Sequence, residues 1–311
     1  MNASSFSDKI VCAYLYPITK YGYPPDVRRT TRYIEEMAAL GFRSIELEGI
    51  GDDNIRYLSQ HREEVREKLE ACGCRLPVLC LVLPRLGSVN AEERKEALEL
   101  FETGCALARG LGADAVLDNG PLLPLQYPAD APVQRHYAES DLAGSGLPDD
   151  FVWEEYWSDL CDTFRQACSI AASYQLSYHM HPCEGSLISD TDSFVNFSAS
   201  VDSPNLLFNL DTANQLYFRD HLPLSVFRLQ EKIRYIHISD NGGERVEHLV
   251  PGDGAVNWES FFEALAKINY QGYYALDIGG AESGVLQLDD AYLRSARWLQ
   301  EQLTRYSLVN V

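Results

Sequence analysis

Nowhere in these 311 residues is there a run approaching the roughly 18 consecutive apolar residues of a membrane-spanning helix. The N-terminal stretch from Met1 to Asp8 is polar and lacks the apolar segment of a secretory leader. A cytoplasmic protein without a membrane partner is therefore expected. Basic residues are scarce: 26 Lys and Arg stand against 46 Asp and Glu, a formal charge of -20. Nucleic-acid binding needs a positive surface and draws its affinity largely from counterion release, so no nucleic-acid partner is expected. Paired cysteines are missing too. The eight, at 12, 72, 74, 80, 105, 161, 168 and 183, fall mostly inside apolar periodic segments, and Cys72 and Cys74 are too close for a CxxC pair. They read as reduced, buried thiols. Finally, no glycine-rich phosphate loop follows the first predicted strand, where Tyr16-Pro17-Ile18-Thr19 stands instead, which argues against an open dinucleotide-binding sheet.

What is present is ordinary globular composition, with 46% apolar and 23% charged residues, and a regular alternation of element types. Short β-rich runs are predicted at Ile10 to Leu15, Ser44 to Glu48, Leu76 to Leu83, Ala113 to Asp118, Leu176 to His181, Asn205 to Asp211, Ile233 to Ser239 and Gly272 to Ile278. Amphipathic segments separate them, as at Pro25 to Leu40, Asn54 to Cys72, Ala91 to Leu111, Trp153 to Tyr174 and Asp289 to Leu303, with apolar residues spaced by three and four. Between the sixth and seventh strands the pattern is interrupted at Pro223. Eight strand–helix units predict one α/β domain over residues 1–311, a parallel eight-stranded (β/α)8 TIM barrel, with an open doubly wound sheet as the competing arrangement. Two long connections, Gly120 to Val152 and Asp240 to Asn257, follow strand carboxyl ends, where barrel active sites sit. They are expected to wall or cover the site, although the first also fits a plain surface insertion.

Alternate strand residues point to opposite faces. In the fifth strand this puts Ser177, His179 and His181 on one side and Leu176, Tyr178 and Met180 on the other. In the next three strands it sends Asn209 and Asp211, His237, and Asp277 toward the barrel axis. Four neighbouring strands thus deliver His179, Asp211, His237 and Asp277 at their ends. Read singly, each is as readily a hydrogen-bonded core residue or, for Asp211, a helix cap. Together, two imidazoles and two carboxylates are hard to bury without a cation, and one divalent metal ion is expected. Mixed nitrogen and oxygen ligands suit Mn, Zn, Co or Fe(II) better than Mg or Ca, with Mn placed first.

The segments Tyr178-His179-Met180-His181-Pro182-Cys183-Glu184-Gly185, Asn209-Leu210-Asp211-Thr212-Ala213-Asn214, Tyr235-Ile236-His237-Ile238-Ser239-Asp240, Pro251-Gly252-Asp253-Gly254 and Tyr273-Tyr274-Ala275-Leu276-Asp277-Ile278 resemble the xylose-isomerase-like superfamily of sugar isomerases and epimerases. That superfamily also holds inosose dehydratases, dehydroshikimate dehydratases and hydroxypyruvate isomerases. The likeness runs over nearly the whole chain and is specific from about residue 153 onward. It implies metal ligands in the order Glu, Asp, His, Glu on strands five to eight, the two Glu also serving as acid and base. Asp211 and His237 match; His179 stands where the first Glu is usual and Asp277 where the second is.

The implied activity is metal-dependent isomerisation or epimerisation of a sugar or keto-sugar, by proton abstraction to an enediolate. The Glu-to-His departure keeps a lyase, acting by dehydration or β-elimination on a keto-sugar or inosose, as the alternative. His179, His181, Glu184 and Glu46 are the catalytic candidates, with Glu48 and Asp118 also inward by parity. His248, Asp118, Tyr14 and Trp153 are the candidates for substrate contact, with Tyr16 and Trp157 as further aromatic platforms, and Asp240 is a candidate to orient His237. Expected partners are a small sugar or polyol and copies of the same chain in a homo-oligomer. Two rivals come from other classes: a barrel that only binds a sugar, and a phosphodiesterase of the abasic-site endonuclease type, which the charge opposes.

Overall fold

Strands that are apolar on both faces have to be covered on both, and the computed structural model, which describes residues 6–127, 134–135 and 142–309, does this with a ring of parallel strands inside a layer of helices. The strand segments are β1 (Ile10–Cys12), β2 (Ser44–Ile45), β3 (Leu47–Ile50), β4 (Val78–Val82), β5 (Ala115–Asn119), β6 (Ser177–His181), β7 (Leu206–Asp211), β8 (Ile233–Ile238) and β9 (Tyr273–Leu276). Their order in the sheet is β2-β1-β9-β8-β7-β6-β5-β4-β3, every pair parallel. The two ends of that order, β2 and β3, are separated in sequence only by Glu46, whose N–H donates to Cys12 O at 2.9 Å. They are halves of one strand, and the ring closes through Glu46 as a TIM barrel of eight strand positions.

The helices are α1 (Leu15–Tyr21), α2 (Thr30–Ala39), α3 (Gly51–Gln60), α4 (Arg62–Cys72), α5 (Ala91–Gly110), α6 (Trp153–Ser173), α7 (Thr191–Val201), α8 (Thr212–Tyr217), α9 (Leu222–Leu229), α10 (Trp258–Lys267) and α11 (Leu288–Arg305). Side-chain caps start several of them: Asn90 accepts from Glu92 N at 2.9 Å ahead of α5, and Asp190 and Ser193 form a reciprocal capping box on α7. The outward strand residues pack on this layer, Tyr178 lying 5.1 Å from Phe101 of α5 and 5.9 Å from Phe164 of α6, ring to ring.

Three local expectations change. The first strand stops at Cys12, and Leu15 onward turns helical beneath the barrel mouth. The segment read as one helix from 54 to 72 is two, interrupted at His61 (φ -106°, ψ 19°). Pro223 does not split its crossover; it is the second residue of α9, where its missing N–H is no loss. Of the long connection 120–152, residues 128–133 and 136–141 lie outside the described residues. The connection after β8 doubles back: Asp240 pairs with Leu249 and His248 with Gly279 in antiparallel bridges, bringing His248 over the barrel mouth.

Candidate active site

Register decides what meets at the mouth. Asp211 of β7 is the Cα partner of His237 of β8, and Asn119 of β5 that of His181 of β6. Asp211 is fully buried; its Oδ1 accepts from Ala213 N at 2.9 Å and Asn214 N at 2.8 Å, capping α8 and fixing the carboxylate. Its Oδ2 lies 3.0 Å from His181 Nε2, 3.8 Å from His237 Nδ1 and 3.9 Å from His248 Nε2. Asp277 Oδ2 lies 3.7 Å from His237 Nδ1 and 3.6 Å from His248 Nε2. Within each of two sets, His181, Asp211 and His237, and Asp211, His248 and Asp277, the ligand atoms lie within 4.8 Å of one another.

The far nitrogen of each of these imidazoles faces an oxygen. His181 Nδ1 is 3.0 Å from Asn119 Oδ1, His237 Nε2 is 3.1 Å from Glu46 Oε2, and His248 Nδ1 is 3.2 Å from Glu282 Oε1. An N–H directed at each oxygen leaves the lone pair of the near nitrogen aimed at the two aspartates. His237 Nδ1 is buried there without a hydrogen-bond partner, and His181 Nε2 meets an acceptor, Asp211 Oδ2, head on. A divalent cation resolves both contacts. The two sets share Asp211, and mixed nitrogen and oxygen donors of this kind suit Mn, Co, Zn or Fe(II).

Burial would push the His237 imidazolium down, but the Asp277 and Glu46 carboxylates hold it well above the usual range. Burial would likewise raise Asp211, which the nearby His181, His237 and His248 imidazoles keep well below the carboxylate range. Burial wins at His181, lowering it against the pull of Asp211. Beside the cluster lies a small cavity of about 40 Å³, open at its mouth, lined by Glu48, Arg135, His181, His237, His248 and Asp277 among others. Arg135, from the long loop after β5, pairs with Glu282 and lies 3.2 Å from His248 Nδ1, joining that loop to the segment after β9.

Several expected residues lie elsewhere. His179 points inward but one layer deeper, successive inward residues of a strand being about 6.6 Å apart. Its Nε2 is 2.9 Å from Ser177 Oγ, its ring centroid is 6.4 Å from that of Tyr235, and it belongs to neither convergent set; on this strand it is His181 that joins one. Asp118 faces the helix layer rather than the axis: it accepts from Leu83 N at 3.2 Å and from the Tyr178 hydroxyl at 3.5 Å, and burial raises its carboxyl well above the usual range. Leu117 and Asn119 take the inward places. Tyr14 packs edge-on against Tyr33 of α2 at 6.4 Å, only its backbone N–H reaching Glu46. Trp153 is exposed at the start of α6, stacked on Trp157. Tyr16 turns its hydroxyl to Asp289 of α11. Glu184 accepts from the Tyr217 hydroxyl at 3.1 Å and stands outside both sets. Asp240 does not touch His237; it accepts from Asn241 N, Gly252 N, Val256 N and Trp258 Nε1, pinning the loop after β8. That orienting contact comes from Glu46. Arg135 and Glu282 carry no strand-end or motif signal and are legible only in three dimensions, while Asn119 ends β5 one residue beyond the predicted strand.

His179 provides a pH-dependent signature of the buried layer. Burial, aided by the Arg234 charge, pushes its pKa down to about 3 from 6.5. Between these values the unfolded chain binds a proton that the native state does not, so stability falls as the pH drops through this window. The contribution is roughly 1.4 kcal/mol per pH unit once well below 6.5. Urea unfolding at pH 6.5, 5.5 and 4.5 should give a shallower decline for His179→Gln than for the unaltered protein; equal slopes would contradict a buried neutral imidazole.

A family model described as xylose isomerase-like TIM barrel matches residues 34–302, and the chain belongs to that family. Fructoselysine 3-epimerase of Escherichia coli is 23% identical over 126 residues, covering 39% of this chain and 46% of that protein. The chain thus spans about half the length of the first curated relatives it matches. Inosose dehydratase of Geobacillus kaustophilus is 24% identical over 271 residues, 78% of each chain. Among solved structures, D-psicose 3-epimerase of Clostridium cellulolyticum superposes with a TM-score of 0.72 at 17% identity, covering 95% of this chain and 99% of that one. Epimerases and dehydratases thus share this fold. Among the described residues, no helix is long and apolar enough to cross a membrane.

Proposed function

We propose that this chain is a metal-dependent isomerase or epimerase of a keto-sugar or related polyol, acting through an enediolate. The observation that carries the reading is the set of three histidines, each with one nitrogen turned to Asp211, those of His237 and His248 also to Asp277, and the other nitrogen backed by Asn119, Glu46 or Glu282. His181, Asp211, His237, His248 and Asp277 would hold one divalent ion, Mn foremost. When bound, the ion supplies Lewis-acid polarisation of a substrate oxygen.

The chain's own residues do the rest. Asp211, immobilised as the cap of α8, keeps the imidazoles in register, and Glu46 fixes the ring of His237. Asp277, at the position where the family resemblance puts a proton-transferring carboxylate, takes the proton from the carbon beside the carbonyl. Arg135 and Glu282 close one side of the cavity and limit water. The dehydratase match over 78% of both chains supports a lyase as the second reading: the same proton abstraction, followed by loss of a β-hydroxyl. A small sugar or polyol is the proposed partner, in the cytoplasm, with no nucleic acid.

The test is elemental analysis of purified protein together with a panel of keto-sugars and inososes incubated in D2O. We expect close to one divalent ion per chain, deuterium entry at the carbon beside the carbonyl, and loss of both on chelation with recovery on Mn(II) addition. Metal-free protein with full turnover, or no exchange on any panel member, would overturn the reading.

A further inference from the structure

We propose that Glu48 is the proton donor of this reaction, working from the barrel wall opposite the histidine–aspartate cluster. The inference rests on the enediolate reading above and deepens it. In the closed ring, the strand made of β2 and β3 is four positions from β7 in either direction, through β4, β5 and β6 or through β1, β9 and β8. Glu48 therefore sits on the strand position diametrically across the ring from β7, and it lines the same cavity as His181, His237, His248 and Asp277. Its parity is inward because Glu46, two residues earlier, reaches His237, and Glu48 itself lines the cavity while remaining half-buried.

Commitment of the other carboxylates singles it out. Asp211 caps α8 and faces the imidazoles, Glu46 holds His237 and the Tyr14 N–H, Glu282 pairs with Arg135, and Asp277 belongs to the cluster. Among the described residues, Glu48 has no hydrogen-bond or ion-pair partner. A carboxyl group lining a ligand cavity without a protein partner is free to engage the ligand. Burial, with the Glu46 and Asp277 charges, pushes its pKa up to about 8, against the opposing effects of Arg135 and His237; Tyr14 and Cys80 also face it.

The step balances. Asp277 takes the proton from the carbon beside the carbonyl; the C–H electron pair forms the enediolate double bond as the carbonyl π pair moves onto its oxygen. The O–H bond of Glu48 breaks, its proton adds to the opposite face of the carbon on the double-bond electron pair, and the pair held on the enediolate oxygen re-forms the carbonyl. Glu48 is left as a carboxylate; water then protonates it and accepts the proton from Asp277. In the elimination variant, the Glu48 proton goes to the departing hydroxyl, which leaves as water with the C–O electron pair.

The experiment follows Glu48→Gln and Glu48→Asp with metal content and thermal unfolding measured alongside. The substrate is the panel member the unaltered enzyme converts, deuterated at the reacting carbon and incubated in H2O. Expected is metal and stability close to the parent, product formation reduced about 10²–10⁴-fold in Glu48→Gln, the range for loss of a general acid, persistent deuterium washout from recovered substrate, and partial recovery in Glu48→Asp. Turnover of Glu48→Gln within threefold of the parent overturns the role of Glu48 alone. So does loss of washout and product together with loss of metal, since that marks a structural position. An unaltered protein inert to the whole panel overturns the enediolate reading and the role of Glu48 with it.

Discussion

Asp211→Asn is expected to abolish stoichiometric metal binding and to lower turnover on the order of a thousandfold, the equivalent of several kcal/mol of lost Lewis-acid stabilisation. The substitution is nearly isosteric, and Oδ1 can still accept from Ala213 and Asn214, so the cap of α8 survives. What disappears is the charge on Oδ2, the atom that meets His181, His237 and His248. An amide there turns N–H groups toward the His181 lone pair and toward Asn214 Nδ2, now 3.2 Å away, so the site is both neutralised and crowded. The chelator-stripped variant should unfold within about 3 kcal/mol of the stripped parent, the cost of one disturbed buried hydrogen-bonding group. Calorimetric titration with Mn(II) and chemical denaturation separate the two effects. An unchanged Mn(II) affinity would remove Asp211 from the site.

Asp240→Ala should destabilise the protein by roughly 3–5 kcal/mol, since several buried donors lose their acceptor at about 1–3 kcal/mol each, partly offset by water. The carboxylate is fully buried and accepts from Asn241 N at 2.9 Å, Gly252 N at 2.7 Å, Val256 N at 3.0 Å and Trp258 Nε1 at 2.9 Å. These bonds fold the segment after β8 back on itself. Gly254 packs so closely that a Cβ there would sit 2.3 Å from Asp240 Oδ1 and 2.6 Å from Asn241 N. The same fold-back creates the Asp240–Leu249 bridge and, next to it, positions His248 against Asp277. Metal affinity should therefore fall with stability, although Asp240 touches no proposed ligand. The checks are urea unfolding and Mn(II) titration of the folded fraction. A variant of parental stability, or one that unfolds more easily yet keeps full Mn(II) affinity, would uncouple the loop from the site.

Both predictions concern residues that the sequence brings forward for different reasons. Asp211 stands out because a polar residue ends an apolar strand, and alternation alone turns it inward. Asp240, two residues past the end of β8, carries no such signal, and sequence reasoning gave it His237 as a partner. Glu46, which holds His237, lies on a strand on the other side of the ring, a juxtaposition that no local pattern encodes. His179 and His181 show the limit of parity most directly. Both face inward, and alternation does not say which lies at the depth of Asp211; the stagger of neighbouring strands does. At Asp118, parity failed because both faces of a buried parallel strand are apolar, so one residue of misplacement exchanges inside for outside.

By itself the sequence determined the barrel, since the alternation of apolar strands with amphipathic helices is a local property of the chain, and it determined which strands bring the candidate metal-ligating side chains to the axis. The tertiary structure alone decided the depth of each side chain, the closure of the ring through Glu46, and the arrival of His248, Arg135 and Glu282 from loops without periodicity. The physical reason is range. Side-chain direction follows from backbone geometry within a few residues, whereas a shared coordination point depends on inter-strand stagger and on loop paths set by contacts far apart in the chain.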